Sequence, residues 1–170
     1  MMDKGMKKRW ISLYVENQVG VLSKISGLFS AKSYNLDSLT VGTTEDSTVS
    51  RMTIATVSDD ETFEQIKKQL NRMVEVIKVI DLTDVPIHMK EILFAKVLDV
   101  DEAGKLEVFQ IEQVFNVQVA DIGNDSVLLE CKLTERRNNE LIALLKSKFH
   151  RIEVVRGGAV AIESISTSCR

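Results

Sequence analysis

The sequence predicts an α+β fold built from two ferredoxin-like βαββαβ units in tandem. Three observations carry this. In the first half, short alternating stretches and helix-spaced apolar stretches follow one another as strand, helix, strand, strand, helix, strand. The single proline, Pro86, then interrupts the periodicity near the middle of the chain. Beyond it the same order returns more faintly.

The first half parses element by element. Residues 10–16 alternate, with Ile11, Leu13 and Val15 on one face, and read as a strand. Residues 17–20 form a turn. Val21, Leu22, Ile25, Leu28 and Phe29 then make one apolar face of a helix. Residues 35–41 and 51–57 read as two strands joined by a polar hairpin over 42–47. Asp59, Asp60 and Glu61 open a second helix with acids at its positive end, and Phe63, Ile66, Leu70 and Met73 form its buried stripe. Residues 74–82 close the unit as a strand. Leu, Met and Val occupy both faces of several strands, so the sheet face opposite the helices needs a cover: a second sheet, a partner subunit, or both.

In the second half, residues 91–100 read as a strand and 104–115 as a helix. A hairpin of strands over 117–122 and 126–133 follows, then a helix over 138–149. Residues 151–162 read as a last strand, interrupted at Gly157 and Gly158. A shift of 76 lays Ile66 on Ile142, Met73 on Phe149, Val76 on Ile152 and Val79 on Val155. The predicted organisation is a tail over 1–9, a first domain over 10–84, a linker over 85–90, a second domain over 91–165 and a tail over 166–170.

Composition excludes several classes of function. The 170 residues are 44% apolar and 28% charged with a net charge of −3, a soluble composition with both signs interspersed. No nucleic-acid footprint dominates. The one basic cluster, Lys4, Lys7, Lys8 and Arg9, reads as a solvated tail. No apolar run spans a membrane and no signal peptide follows the basic start. Cys131 and Cys169 make neither a metal motif nor a disulfide framework. Cys131 reads as a buried core thiol, which fits a reducing cytoplasm. His88 reads as linker and His150 as a helix-end cation; neither has an acid or cysteine beside it in a catalytic spacing. There is no P-loop, GxGxxG or nucleophile elbow, and no helix basic enough to be a recognition helix.

One loop is a candidate site. Glu16-Asn17-Gln18-Val19-Gly20-Val21 joins a strand to a helix whose first N–H groups lack internal partners and carry roughly half a positive charge. A carboxylate fits there. Gly20 allows close approach to the backbone, and the Asn17 amide both donates and accepts, which suits an amino-acid zwitterion. The plain alternative is that Asn17 caps the helix and Gly20 relieves turn strain. Asn35, at the start of the second strand, carries the same two readings: ligand contact, or a turn residue tolerating left-handed geometry.

Three stretches bear on that choice: Glu16-Asn17-Gln18-Val19-Gly20-Val21-Leu22-Ser23, the run from Leu28 to Val41 containing Ser33-Tyr34-Asn35-Leu36-Asp37, and Ser50-Arg51-Met52-Thr53-Ile54. They resemble the small regulatory subunit of acetolactate synthase, or acetohydroxyacid synthase, and the first half resembles an ACT domain. Ile152-Glu153-Val154-Val155-Arg156-Gly157-Gly158 is similar to that family's closing segment, so the resemblance runs over about residues 8–165. Asn116 departs from it, standing where a basic residue is expected.

The resemblance implies a cytoplasmic, non-catalytic subunit of branched-chain amino-acid biosynthesis. Such a subunit binds the catalytic large subunit, raises its activity and confers feedback inhibition by valine. Thiamine diphosphate, magnesium and FAD are then expected on the catalytic subunit, with no cofactor or metal in this chain. The family's effector residues fall on Asn17 and Gly20, with Asn35 contributed by the neighbouring chain; Val19, Val21 and Leu36 are added to that shell. In the strand order 4-1-3-2 the second strand is a sheet edge, and pairing two such edges across a two-fold axis makes a homodimer through the ACT domains. No nucleic acid or membrane partner is expected. The alternative is a stand-alone amino-acid-sensing ACT protein acting on another enzyme or on transcription.

Overall fold

The computed structural model describes residues 5–165. The first four residues and residues 166–170, and with them Lys4, Cys169 and most of the expected tails, lie outside the described residues. Within these limits the order is β1 (Lys7–Glu16), α1 (Val21–Ala31), β2 (Ser38–Thr43), β3 (Val49–Ser58), α2 (Asp60–Leu70), β4 (Val76–Asp81), β5 (Ile87–Leu98), α3 (Glu102–Phe115), β6 (Gln118–Ile122), β7 (Ser126–Leu133), α4 (Glu135–Lys148) and β8 (Arg151–Glu163). This is βαββαβ twice.

The strands form two four-stranded sheets, ordered β2-β3-β1-β4 and β6-β7-β5-β8. Both are the predicted 4-1-3-2 order, with β2 and β6 at edges. The chain divides into two compact units. One holds the residues up to His88 together with those from Val160 onward; the other runs from Met89 to Ala159.

In the first unit, alternation puts Ile11, Leu13 and Val15 of β1 and Met52 and Ile54 of β3 on one sheet face, where Val21, Ile25 and Phe29 of α1 and Phe63, Ile66 and Leu70 of α2 cover them. The opposite face carries Trp10, Ser12 and Tyr14 paired with Ala55, Thr53 and Arg51. The end of β8 lies against it: the Ala161 N–H donates to Thr53 Oγ1 at 3.4 Å, and Arg51 pairs with Glu163 at 2.8 Å. The cover required by the two-faced strands thus comes in part from the chain's own last strand.

In the second unit, Leu93, Ala95 and Val97 of β5 and Val127, Leu129 and Cys131 of β7 pack under Val108, Ile111 and Phe115 of α3 and Leu141 and Leu145 of α4. Cys131 is a buried thiol, and desolvation, helped by the nearby Glu130 carboxylate, pushes its pKa up to about 11.

Several boundaries differ from the sequence reading. Lys7, Lys8 and Arg9 of the basic cluster are not a tail: β1 starts at Lys7, and Arg9 is only 5% exposed, its guanidinium over the Phe63 ring and bonded to Asp60. Lys8 pairs with Asp37 at 2.6 Å. Residues 87–90, read as linker, already belong to β5, and the stretch from Val160, read as second domain, groups with the first unit. β8 continues through Gly157 and Gly158. A Cβ on Gly157 would come within 2.7 Å of Ile92 Cγ2, so Gly157 serves close approach, while Gly158 supplies a left-handed φ of +79°; neither breaks the strand. The repeat is offset by 75 in its second helix: Phe63, Ile66 and Leu70 correspond to the buried Asn138, Leu141 and Leu145. Asn116 closes α3 at φ 54°, ψ 51°, the left-handed cap geometry that asparagine tolerates.

Candidate functional site

The end of β1 and the loop after it are tied to two neighbours, the residue before β4 and the β2–β3 hairpin. The Glu16 N–H donates to Glu75 O at 2.9 Å and the Asn17 N–H to Thr48 O at 2.7 Å. The Asn17 side chain continues the seam: Nδ2 donates to Ser47 O at 2.8 Å, and Oδ1 accepts from Ser50 Oγ at 3.0 Å. Asn17 is therefore not a helix cap. With one bond made on each side of its amide, it keeps the capacity for one more hydrogen bond as donor and one as acceptor. The hairpin is itself braced, because Asp46 Oδ1 accepts from the Thr48 hydroxyl at 2.6 Å and the Thr48 N–H at 2.8 Å. These two bonds hold the Asp46 carboxyl below its ordinary range.

Gly20 holds the cap position of α1 with φ +89°, ψ −11°, a conformation that favours glycine. No side chain caps this helix and its first turn carries no acid. The other three helices differ. Asp59, Asp101 and Thr134 each accept from a first-turn N–H, and each of those helices has an acid in its first turn. The Val21 N–H turns back to Gln18 O at 3.3 Å, but no side chain or acid compensates the positive end of α1, and nothing lies within 4 Å of where a Gly20 Cβ would be. One turn in, Lys24 pairs with Glu75, and that hydrogen bond is the main cause holding the Glu75 carboxyl below its ordinary range.

The predicted shell divides. Asn17, Val19 and Gly20 are together and exposed, Val19 completely so. Val21 is 4% exposed and belongs to the core, so its side chain is not available to a ligand. Asn35 does not begin a strand. β2 starts at Ser38, and Asn35 lies in the preceding irregular segment, where its carbonyl accepts from Thr56 Oγ1. The chain has just turned through Ser33 at φ 55°. Leu36 is half-buried against the core. Within one chain these residues are far apart, since Asn17 meets Thr48 and Asn35 meets Thr56. That is eight residues along the same strand, or roughly 26 Å at about 3.3 Å per residue.

Ser47 and Ser50, which hold Asn17, escaped the sequence reading. They lie 30 and 33 residues away, and only the hairpin's richness in serine and threonine hints at them. Among the described residues no group of three or more His, Cys, Asp or Glu side chains is placed to hold a metal ion, and no helix is long and apolar enough to cross a membrane.

Comparison with known proteins agrees with this architecture. Residues 11–78 match the family described as AHAS small subunit-like ACT domain, and residues 90–165 the family described as small subunit of acetolactate synthase. The acetolactate synthase small subunit of Aquifex aeolicus is 38% identical over 157 residues, covering 92% of this chain and 81% of the relative. The isozyme 3 small subunit of Escherichia coli is 35% identical, covering 91% and 94%. The crystal structure of the small subunit from Thermotoga maritima superposes with a TM-score of 0.84 at 31% identity, over 94% of this chain and 99% of that one. With relatives of this identity over nearly its whole length, and an ACT domain in its first half, the chain belongs to the acetolactate synthase small-subunit family.

Proposed function

We propose that the chain is the non-catalytic regulatory subunit of an acetolactate synthase, activating the catalytic large subunit and conferring feedback inhibition by valine. The observation that carries the effector reading is the open positive end of α1 beside Asn17, in a chain whose other helices close theirs with their own side chains. The α-carboxylate of an amino acid sits against the first N–H groups of α1, and the spare hydrogen and lone pair of Asn17 serve its polar groups. Thiamine diphosphate, magnesium and FAD belong to the catalytic subunit, and the complex works in the cytoplasm.

The strand register supports a site shared by two chains. β2 is an edge, and its last residue, Thr43, pairs with Ser50, beside Asn17. Two β2 edges paired antiparallel across a two-fold axis bring the start of one β2 next to the end of the other. The partner's Asn35 then approaches this chain's Asn17 and Gly20, which Asn35 of the same chain cannot do. A ligand gripping both chains favours one dimer geometry, and typical coupling of ~1–3 kcal/mol changes affinity ~5–150-fold. Valine is preferred over leucine by a pocket that penalises one added methylene, worth roughly 1–3 kcal/mol.

Titration calorimetry on the isolated protein is expected to show valine binding that weakens at least about tenfold in Asn17→Ala. Unchanged affinity would place the effector elsewhere. Mixed with its catalytic subunit, the protein should raise the rate of acetolactate formation from pyruvate while making none alone. Turnover by the isolated chain would sink the regulatory reading, and no effect on the catalytic subunit would favour a stand-alone amino-acid sensor.

A further inference from the structure

Ser50 and Arg51 are consecutive residues of β3, so their side chains leave opposite faces of the sheet. Ser50 is buried and its hydroxyl holds Asn17 Oδ1. Arg51 reaches the other face. There Nε donates to the fully buried Ser12 Oγ at 2.7 Å, an Nη donates to Glu163 Oε2 at 2.8 Å, and the guanidinium lies 4.9 Å from the centre of the Tyr14 ring. Glu163 is the last residue of β8, whose end is further tied down by the Ala161 N–H to Thr53 Oγ1 and by the Ser164 N–H to Pro86 O at 2.9 Å. One strand end therefore holds the candidate effector loop with one residue and the end of β8 with the next.

We infer that Arg51 and Glu163 transmit the state of the Asn17 loop to the end of β8, making Arg51 a positioning residue for regulation. This rests on the effector reading of that loop. A ligand that takes up the spare hydrogen and lone pair of Asn17 pulls on an amide that is still bonded to the Ser50 hydroxyl, and the end of β3 is the segment that must adjust. The Arg51 fork is planar and held at three points, so it does not follow such a shift gradually: its bond to Glu163 is either kept or lost. A polar tether suits this role better than it suits stability, because an apolar replacement of a partly buried ion pair usually holds two elements together as well. β8 itself begins in the second unit and ends in the first, so the segment that Arg51 holds is the last part of a strand both units share.

Hydrogen exchange and titration calorimetry on the full chain test this, with valine as the probe. In the wild type, valine is expected to change the exchange rates of the amides over 160–164. In Arg51→Met that response is lost while valine affinity stays within about threefold. Glu163→Gln, which keeps the shape and removes the charge, is expected to behave the same way, and it serves should Arg51→Met fail to fold. In complexes with the catalytic subunit both variants should activate normally and lose at least half of the maximal valine inhibition. Valine binding to the wild type with no change over 160–164, or variants with the full response, would overturn this inference alone. Absence of valine binding to the wild type would overturn the effector reading with it.

Discussion

A buried charge sits at the same place in each repeat. Arg9 on β1 and Glu91 on β5 are the first buried residues of their strands, each about 5% exposed or less. Arg9 spreads its charge over the Phe63 ring and Asp60. Glu91 receives both Nε and Nη2 of Arg156, at 2.8 and 2.7 Å, and the amide of Asn138 at 2.9 Å. Asn138 is the residue that corresponds to Phe63, so the repeat exchanges a ring for an amide where the buried charge changes sign. Arg156→Met removes the guanidinium from the buried Glu91 carboxylate and leaves the Asn138 amide on it. Because Arg156 is about a third exposed, a loss of roughly 2–3 kcal/mol is expected, below the ~3–5 typical of a fully buried pair. Chemical denaturation measures it, and a midpoint equal to the wild type's would show the pair to be dispensable. The pairing was not legible in the sequence: Glu91 and Arg156 are 65 residues apart, and the stretch 152–158 that contains Arg156 says nothing of its partner.

At the scale of elements, the helix ends were the most legible feature, and they separate the two repeats. Asp59 and its acidic followers announced α2, and Asp59 indeed caps it. Asp101 does the same for α3, at the place in the second repeat that corresponds to the Asn17–Gly20 loop. The second repeat supplies its own carboxylate where the first leaves the helix end open. Asp101→Ala is expected to cost about 1 kcal/mol, the usual worth of a cap, and to leave valine affinity unchanged; thermal melting and calorimetry read the two effects separately. The helical spacing that put Val21 on the apolar face of α1 had already assigned it to the core, so placing it in a ligand shell set a resemblance against a period, and the period prevailed. The start of β2 was less legible. Asn35, Leu36 and Asp37 look like strand, but the turn at Ser33 and the bonds to Ala55 and Thr56 hold them as a lead-in, and those bonds span some twenty residues.

At the scale of the whole chain, order and topology followed from periodicity, while the division into units did not. Pro86 marks the middle, yet it stands just before a strand rather than within a linker, and β8 is shared between the two units. Periodicity sees a strand but not the two different surfaces it meets along its length. Ending the chain after Ala159 removes the bonds from Arg51 and Thr53 to the end of β8. Such a truncation is expected to melt several degrees lower, since ~1 kcal/mol shifts Tm by roughly 2–8 °C in chains of this size class. Differential scanning calorimetry checks it, and an unchanged Tm would mean that the strand end contributes nothing to the first sheet.

That strand end also sets a schedule for synthesis. Residues 1–88 emerge from the ribosome first, but the segment that bonds to Arg51 and Thr53 comes some 75 residues later. At ~5–20 residues per second the interval is roughly 4–15 s. During every round of translation the first sheet waits that long for its last piece. Its outer face is accessible to chaperones or to another nascent chain before the chain's own end arrives.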